Sequence, residues 1–244
     1  MRAPTSAELL DVWERGYRQT WPRKALLLLA TACPELGDGD LGAMPIGRRD
    51  GLLLTLRDWL FGPELNVVTA CPACAASLES TLQADDLRLD SASEGVVHAI
   101  DIDGWRVAFR SPTSSNLLAL RADQDLASAR MSLLSRCVIE ASRADGAAVS
   151  AAALPDNIVA AVAHEMAAAD AQANVELALA CPACGHRWQA LFDIVSFFWQ
   201  EIHAWALRTL RDVHSLARAY GWSEADVLAL SPTRRQIYLQ LCRP

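Results

Sequence analysis

Positive charge is in short supply in this 244-residue chain: 22 Lys and Arg stand against 29 Asp and Glu, a formal net charge of −7 at pH 7 with a pI near 5.2. No stretch gathers enough Arg or Lys to outweigh that sign, which argues against nucleic acid as a partner. Long apolar runs are missing too. The longest, Ala25 to Ala32, is far too short to cross a bilayer, and Glu8, Asp11 and Glu14 ahead of it spoil a secretory leader, so no membrane span and no cleaved signal are expected. There is no phosphate-binding glycine loop, no Gly-x-Ser-x-Gly elbow and no Ser/His/Asp arrangement, so neither a catalytic role nor a small-molecule substrate is expected.

What is present is an apolar fraction of 52%, dominated by Leu and Ala with only 7% aromatics, enough for a real core and biased towards helix. The fold expected is α+β, mainly helical, in a single compact domain over 1–244.

Seven cysteines are an odd number, and a full disulfide framework would leave one thiol over. Four of them fall into two identical Cys-Pro-Ala-Cys turns, Cys71/Cys74 and Cys181/Cys184, the spacing of a metal site in a reducing compartment. Cys33, Cys137 and Cys242 lie among apolar neighbours in helical patterns and read as buried, inert thiols. Around the first turn, 66–70 and 77–82 are strand-like, and 175–180 and 187–194 repeat the arrangement around the second. Each unit reads as a zinc-ribbon hairpin presenting two thiolates, and the two together fill a tetrahedral site with no open position. A single structural zinc is therefore expected at Cys71, Cys74, Cys181 and Cys184, with iron as the other metal that such ligands accept.

The competing chemistry is thiol–disulfide exchange, which wants the first Cys of a pair at a helix N-terminus; Gly185-His186-Arg187-Trp188 reads instead as a turn into a strand. His186 reads as an exposed side chain. His164-Glu165 lacks the second His of a zincin, since Ala168 stands there. Asp101, Asp103 and Gly104 lack the other ligands of a calcium loop and read as a hairpin turn, and Asp38 and Asp40 lack a ligand set.

Along the chain, residues 1–65 read as N-terminal helices: Thr5 and Glu8 form a capping box for a helix over about 6–19, Pro22 opens one to about 33, and a third runs over about 48–61. The Gly/Asp-rich stretch 37–47 reads as an exposed loop. The ribbon halves occupy 66–86 and 175–194. The inserted segment 87–174 holds a hairpin (96–100 with 105–109) and helices at about 115–121, 124–140 and 155–169. The region 195–244 opens with a long amphipathic helix over about 196–219, ended by Gly221 and followed by two short helices begun by Ser223 and Ser231. Trp188, Phe197, Phe198, Trp199 and Trp205 cluster around the second Cys-Pro-Ala-Cys turn and the long helix that follows, as core or as a protein-contact surface.

The string Cys181-Pro-Ala-Cys-Gly-His-Arg-Trp188, then Phe192 to Trp199, Ala219 to Leu228 and Ser231-Pro-Thr-Arg-Arg235, resembles the baseplate hub assembly chaperone family of contractile-tailed (T-even type) phages. It is most similar to the form associated with phage-like contractile injection systems. The stretches Pro4 to Trp13, Gly47 to Phe61 and Phe109 to Leu120 follow the same pattern. The resemblance implies a cytoplasmic or particle-associated baseplate component or assembly chaperone, partnered by baseplate or hub proteins and without an active site. The cysteine pairs are not part of what it carries, and the metal rests on their spacing. The alternatives are a thiol–disulfide redox or other zinc-dependent enzyme and, disfavoured by the acidic charge, a zinc-ribbon nucleic-acid adaptor.

Overall fold

The computed structural model describes residues 1–91 and 95–242, so 92–94 of the inserted segment and 243–244 of the C-terminal region lie outside the described residues. Contacts divide the chain into two compact units, Met1–Glu35 with Val195–Pro244, and Leu36–Ile194.

The first unit is helical. Thr5 caps α1 (Ser6–Gly16): its backbone N–H donates to Glu8 Oε2 at 2.8 Å while the Glu8 N–H donates to Thr5 Oγ1 at 3.3 Å. Pro22 sits in the first turn of α2 (Trp21–Ala32), where its missing N–H costs nothing. The 27-residue helix α8 (Ile194–Tyr220) buries Phe198, Ile202, Ala206, Thr209, Val213 and Leu216, a stripe at spacings of three and four. Gly16 gives Trp199 its room, because a Cβ there would lie 2.1 Å from the indole Cη2. Trp13 Nε1 donates to His203 Nδ1 at 3.0 Å. Gly221, at φ +71°, ends α8 with its N–H on the Ala217 carbonyl. Beyond it, α9 (Glu224–Leu228) and α10 (Pro232–Leu241) fold back so that Val227, Trp222, Tyr238 and Leu239 pack on Val213 and Leu216. Ile237 and Leu241 stay exposed.

The second unit is mixed. After α3 (Asp38–Ala43) and α4 (Ile46–Phe61), the chain forms the antiparallel hairpin β1 (Glu64–Ala70) and β2 (Ser77–Gln83). A three-stranded antiparallel sheet follows, in the order β3 (His98–Ile102), β4 (Trp105–Phe109), β5 (Val138–Arg143). Asp103 and Gly104 both take positive φ between β3 and β4, as a two-residue hairpin turn requires. The short α5 (Ser114–Leu118) and α6 (Leu126–Cys137) connect β4 to β5. From α7 (Asp156–Ala169), Ile158, Val159, Val162 and Met166 pack with Val107, Phe109, Leu134, Cys137 and Ala141 into one apolar core. The unit closes with a second antiparallel hairpin, β6 (Glu176–Ala180) and β7 (Arg187–Leu191).

Several expectations need correction. Packing groups the first two helices with the last three, although most of the chain lies between them in sequence. The stretch 37–47 is no exposed loop: Asp40 accepts from the Gly37 N–H at 3.2 Å to start α3, and Leu41 and Met44 are buried. The helix expected over 124–140 ends at Cys137, and 138–143 pair with β4, a continuation suited to β-branched Val138 and Ile139. Strand β7 stops at Leu191, and 194 already belongs to α8. Cys33 and Cys137 are buried as expected, with burial pushing the Cys137 thiol up to about 11, whereas Cys242 is only half-buried.

Candidate metal centre

The two Cys-Pro-Ala-Cys turns sit at the tips of the β1–β2 and β6–β7 hairpins, and their backbones are built alike. In the first, the Cys71 N–H donates to the Ala76 carbonyl at 2.9 Å and the Ala75 N–H to the Cys71 carbonyl at 2.8 Å. In the second, the Cys181 N–H donates to the His186 carbonyl at 2.8 Å and the Gly185 N–H to the Cys181 carbonyl at 2.9 Å. Register matches as well: Ala70 pairs with Ser77, and Ala180 with Arg187. In each turn the residue after the second cysteine takes positive φ, Gly185 at 74° and Ala75 at 60°. Glycine adopts that conformation freely, and alanine does so under strain.

Two-residue alternation puts Leu65, Val67, Thr69 and Cys71 on one face of β1, and Leu177, Leu179 and Cys181 on one face of β6. Within the two hairpins only Leu65, Cys71 and Cys181 are fully buried. Isolated two-stranded hairpins with so little apolar burial are marginal, so something else must fix them. At their bases that is a polar network. The Arg57 guanidinium, 2% exposed, donates to the carbonyls of Gly62 and Glu64, each at 2.6 Å, and so fastens the end of α4 to the start of β1. Arg88, beyond β2, pairs with Asp58 Oδ2 at 2.6 Å and donates to Thr55 Oγ1 at 3.1 Å. Buried Gln172, ahead of β6, accepts from the Leu89 N–H at 2.8 Å and donates to the Leu87 carbonyl at 3.1 Å. Asp170 Oδ2 accepts from the Gly47 N–H at 2.9 Å. The exit of the first hairpin is thus held to the entry of the second.

At the tips the four cysteine sulfurs come together, all within 4.8 Å of one another, although Cys74 and Cys181 are 107 residues apart in sequence. Cys71 Sγ lies 3.7 Å from Cys184 Sγ, and Cys74 Sγ lies 3.7 Å from Cys181 Sγ. That is far beyond a disulfide bond, and it fits the edge of about 3.8 Å in a tetrahedron of sulfurs with arms of about 2.3 Å. Cys71 and Cys181 are buried, and Cys74 and Cys184 face solvent.

The electrostatics call for a cation. The Ala76 backbone N–H favours the Cys74 thiolate. Hydrogen bonds with the sulfurs of Cys184, Cys181 and Cys71, together with desolvation, oppose it and leave the Cys74 thiol pushed up to about 12. At Cys181, the backbone N–H of Cys184 brings the thiol down to about 7, joined by the Ala183 N–H against a smaller effect of burial. Four sulfurs this close do not all ionise by themselves. A bound divalent ion removes the conflict, and the residues therefore fit a metal.

All four predicted site residues are brought together, and they form the one His/Cys/Asp/Glu cluster with metal-ligating geometry among the described residues. His186 is exposed and stacks on Trp188, ring centroids 5.9 Å apart. Asp101 and Asp103 belong to the β3–β4 hairpin, as expected. Sequence reasoning missed the supports Arg57, Arg88, Asp170 and Gln172: Arg57 acts on backbone carbonyls, which leave no side-chain pattern, and the others reach partners in distant segments. No described helix is long and apolar enough to cross a membrane.

The family described as T4 bacteriophage base plate protein matches this sequence over residues 18–199, a span that includes both hairpins and all four cysteines. Comparison with curated proteins and with solved structures gave no match.

Proposed function

The chain belongs to the T4 bacteriophage base plate protein family, and from that membership we propose that it is a baseplate component or baseplate assembly chaperone of a phage-tail-like contractile injection system, with one structural zinc bound by Cys71, Cys74, Cys181 and Cys184. The observation that carries the role is the family match across most of the chain. The one that carries the metal is the cluster of four sulfurs within 4.8 Å of one another, with two of the pairs at 3.7 Å. Four thiolates leave a tetrahedral ion no open position, so the site holds two zinc-ribbon hairpins together and performs no chemistry. Baseplate or hub proteins are the partners.

The redox alternative is weaker on this geometry. Cys71 and Cys181 each open a hairpin turn, and no helix begins at either to activate a thiolate. Iron would fill the same ligands and is distinguished by its visible absorption.

The test combines two measurements. Deleting the gene in a host that assembles contractile particles should leave tubes and sheaths without complete baseplates, and mass spectrometry of wild-type particles separates a resident component from a transient chaperone. Normal particles from the deletion strain overturn the role. Elemental analysis of protein purified without chelator should give one zinc per chain; none, or two, overturns the metal assignment.

A further inference from the structure

The helical unit carries a cationic pocket apart from the metal centre. Its volume is about 360 Å³, and its lining includes Ser6, Trp205, Arg208, Arg211, Asp212 and Arg235. Trp205, Arg208, Thr209 and Asp212 fall at i, i+3, i+4 and i+7, so one stripe of α8 forms a wall, and Pro232 and Arg235 from the start of α10 form another.

Arg235 is the unusual member. It is only 6% exposed, and its Nε is a buried donor with no acceptor. Native proteins rarely leave a buried guanidinium N–H unmatched, because removing it from water is costly unless a partner replaces the water. The lining holds one carboxylate, Asp212, which feels the charges of Arg235 and Arg208, against three guanidinium groups, so a positive excess remains. A local cationic excess of this kind, in a chain whose overall charge is −7, marks a place where an anion is wanted.

We propose that this pocket receives a carboxylate side chain from an acidic segment of a protein partner, with Arg235 as the buried hydrogen-bond donor and Arg208 and Arg211 as the exposed rim. A single acidic residue within an apolar segment suits the walls, since Trp205 and Pro232 offer apolar surface beside the arginines. Inorganic phosphate suits them less, because it has no apolar surface to place against Trp205 and Pro232. The inference goes beyond the baseplate reading: the pocket selects an acidic segment whatever assembly that segment belongs to.

The test uses the full-length, metal-loaded protein and follows the Arg235 Nε–H resonance by 15N-edited NMR. The probes are the blocked peptide acetyl-Ala-Leu-Glu-Leu-Ala-amide, its Gln counterpart, and inorganic phosphate. The acidic peptide should shift that resonance saturably and more weakly at high salt. The double variant Arg208→Gln/Arg211→Gln, altered only at exposed rim positions, should keep its helical circular dichroism and metal content but lose about tenfold in affinity. Asp212→Asn should bind more tightly, because it removes the competing carboxylate. The proposal is overturned by no saturable shift below roughly 10 mM peptide, by equal binding of the amide counterpart, by tighter binding of phosphate than of peptide, or by rim variants that bind like the parent.

Discussion

In the unit made of Met1–Glu35 and Val195–Pro244, distant segments meet through apolar and aromatic packing, with Trp199 over Gly16 and Trp222 against Tyr238. In Leu36–Ile194 the segments that carry the thiols meet through polar groups: Arg57 and Arg88 at the foot of the first hairpin, Gln172 ahead of the second, and four sulfurs at the tips. Packing of the first kind depends on volume and is indifferent to solution chemistry. Cohesion of the second kind depends on protonation, on metal supply and on every partner being in place, so the two units should fail under different insults.

The sharpest way to separate them is Cys181→Ser. Thiolate zinc sites in small domains supply on the order of 10 kcal/mol of apparent binding free energy, and losing one ligand of four should empty the site. Metal content should fall from one per chain to none, and residues 64–83 and 176–191 should become protease-sensitive. The Trp13 indole N–H resonance, fixed by its bond to His203 in the other unit, should persist.

Gly16→Ala attacks the helical unit instead. Its Cβ would lie 2.1 Å from a buried tryptophan ring, and overpacking of that kind costs about 1–3 kcal/mol. The urea midpoint should drop with metal content unchanged, and pairing the substitution with Trp199→Leu should recover part of the loss.

A pH dependence should belong to the polar unit. Burial raises the Asp50 carboxyl to about 6 against the pull of Arg49, with Asp193 and Asp170 adding to the rise. Folded Asp50 therefore keeps its proton in a range where the unfolded chain, at the usual 3.8, has released it. The folded state binds more protons there, so stability should fall as pH rises from about 4 to about 6 and level off above, a change on the order of 3 kcal/mol. Thermal melts of Asp50→Asn across that window should show a flatter dependence than those of the parent.

The smallest effect lies between the two hairpins themselves. Ala75 takes the left-handed conformation that Gly185 takes in the second turn, so Ala75→Gly should relieve strain and raise stability by up to about 1 kcal/mol. Gly185→Ala should lower stability by a similar amount through strain alone, because no atom lies within 4 Å of the added carbon. Chelator competition on both variants would read the same asymmetry as metal affinity.

How far the sequence discloses this architecture depends on how local each cause is. The hairpins are legible because alternation and the Cys-Pro-Ala-Cys spacing are written within some twenty residues, and their sulfurs do meet. The long helix is legible for the same reason, its buried stripe recurring at three and four. Strand β5 is not, because Val138 to Arg143 continue a helical pattern and become a strand only by lying beside β4. Nor is the polar setting of α4: Arg49, Asp50 and Arg57 look like a solvated face until Ser114 and the carbonyls of Gly62 and Glu64 are placed against them. The C-terminal helices fall between these cases. Of their apolar residues, Tyr238 and Leu239 are taken up by the end of α8, whereas Ile237 and Leu241 stay exposed.

The helical unit is made from both ends of the chain, with the whole of Leu36–Ile194 strung between its pieces. On the ribosome, α1 and α2 emerge first and then wait for α8, an interval of roughly 10–30 s at ordinary elongation rates. The second thiol pair likewise appears long after the first. The helical unit cannot close until α8 has emerged, so nascent chains carry Leu9, Leu28 and Leu29 without that cover throughout the interval. That delay should make the yield of folded protein depend on what shields these leucines during translation.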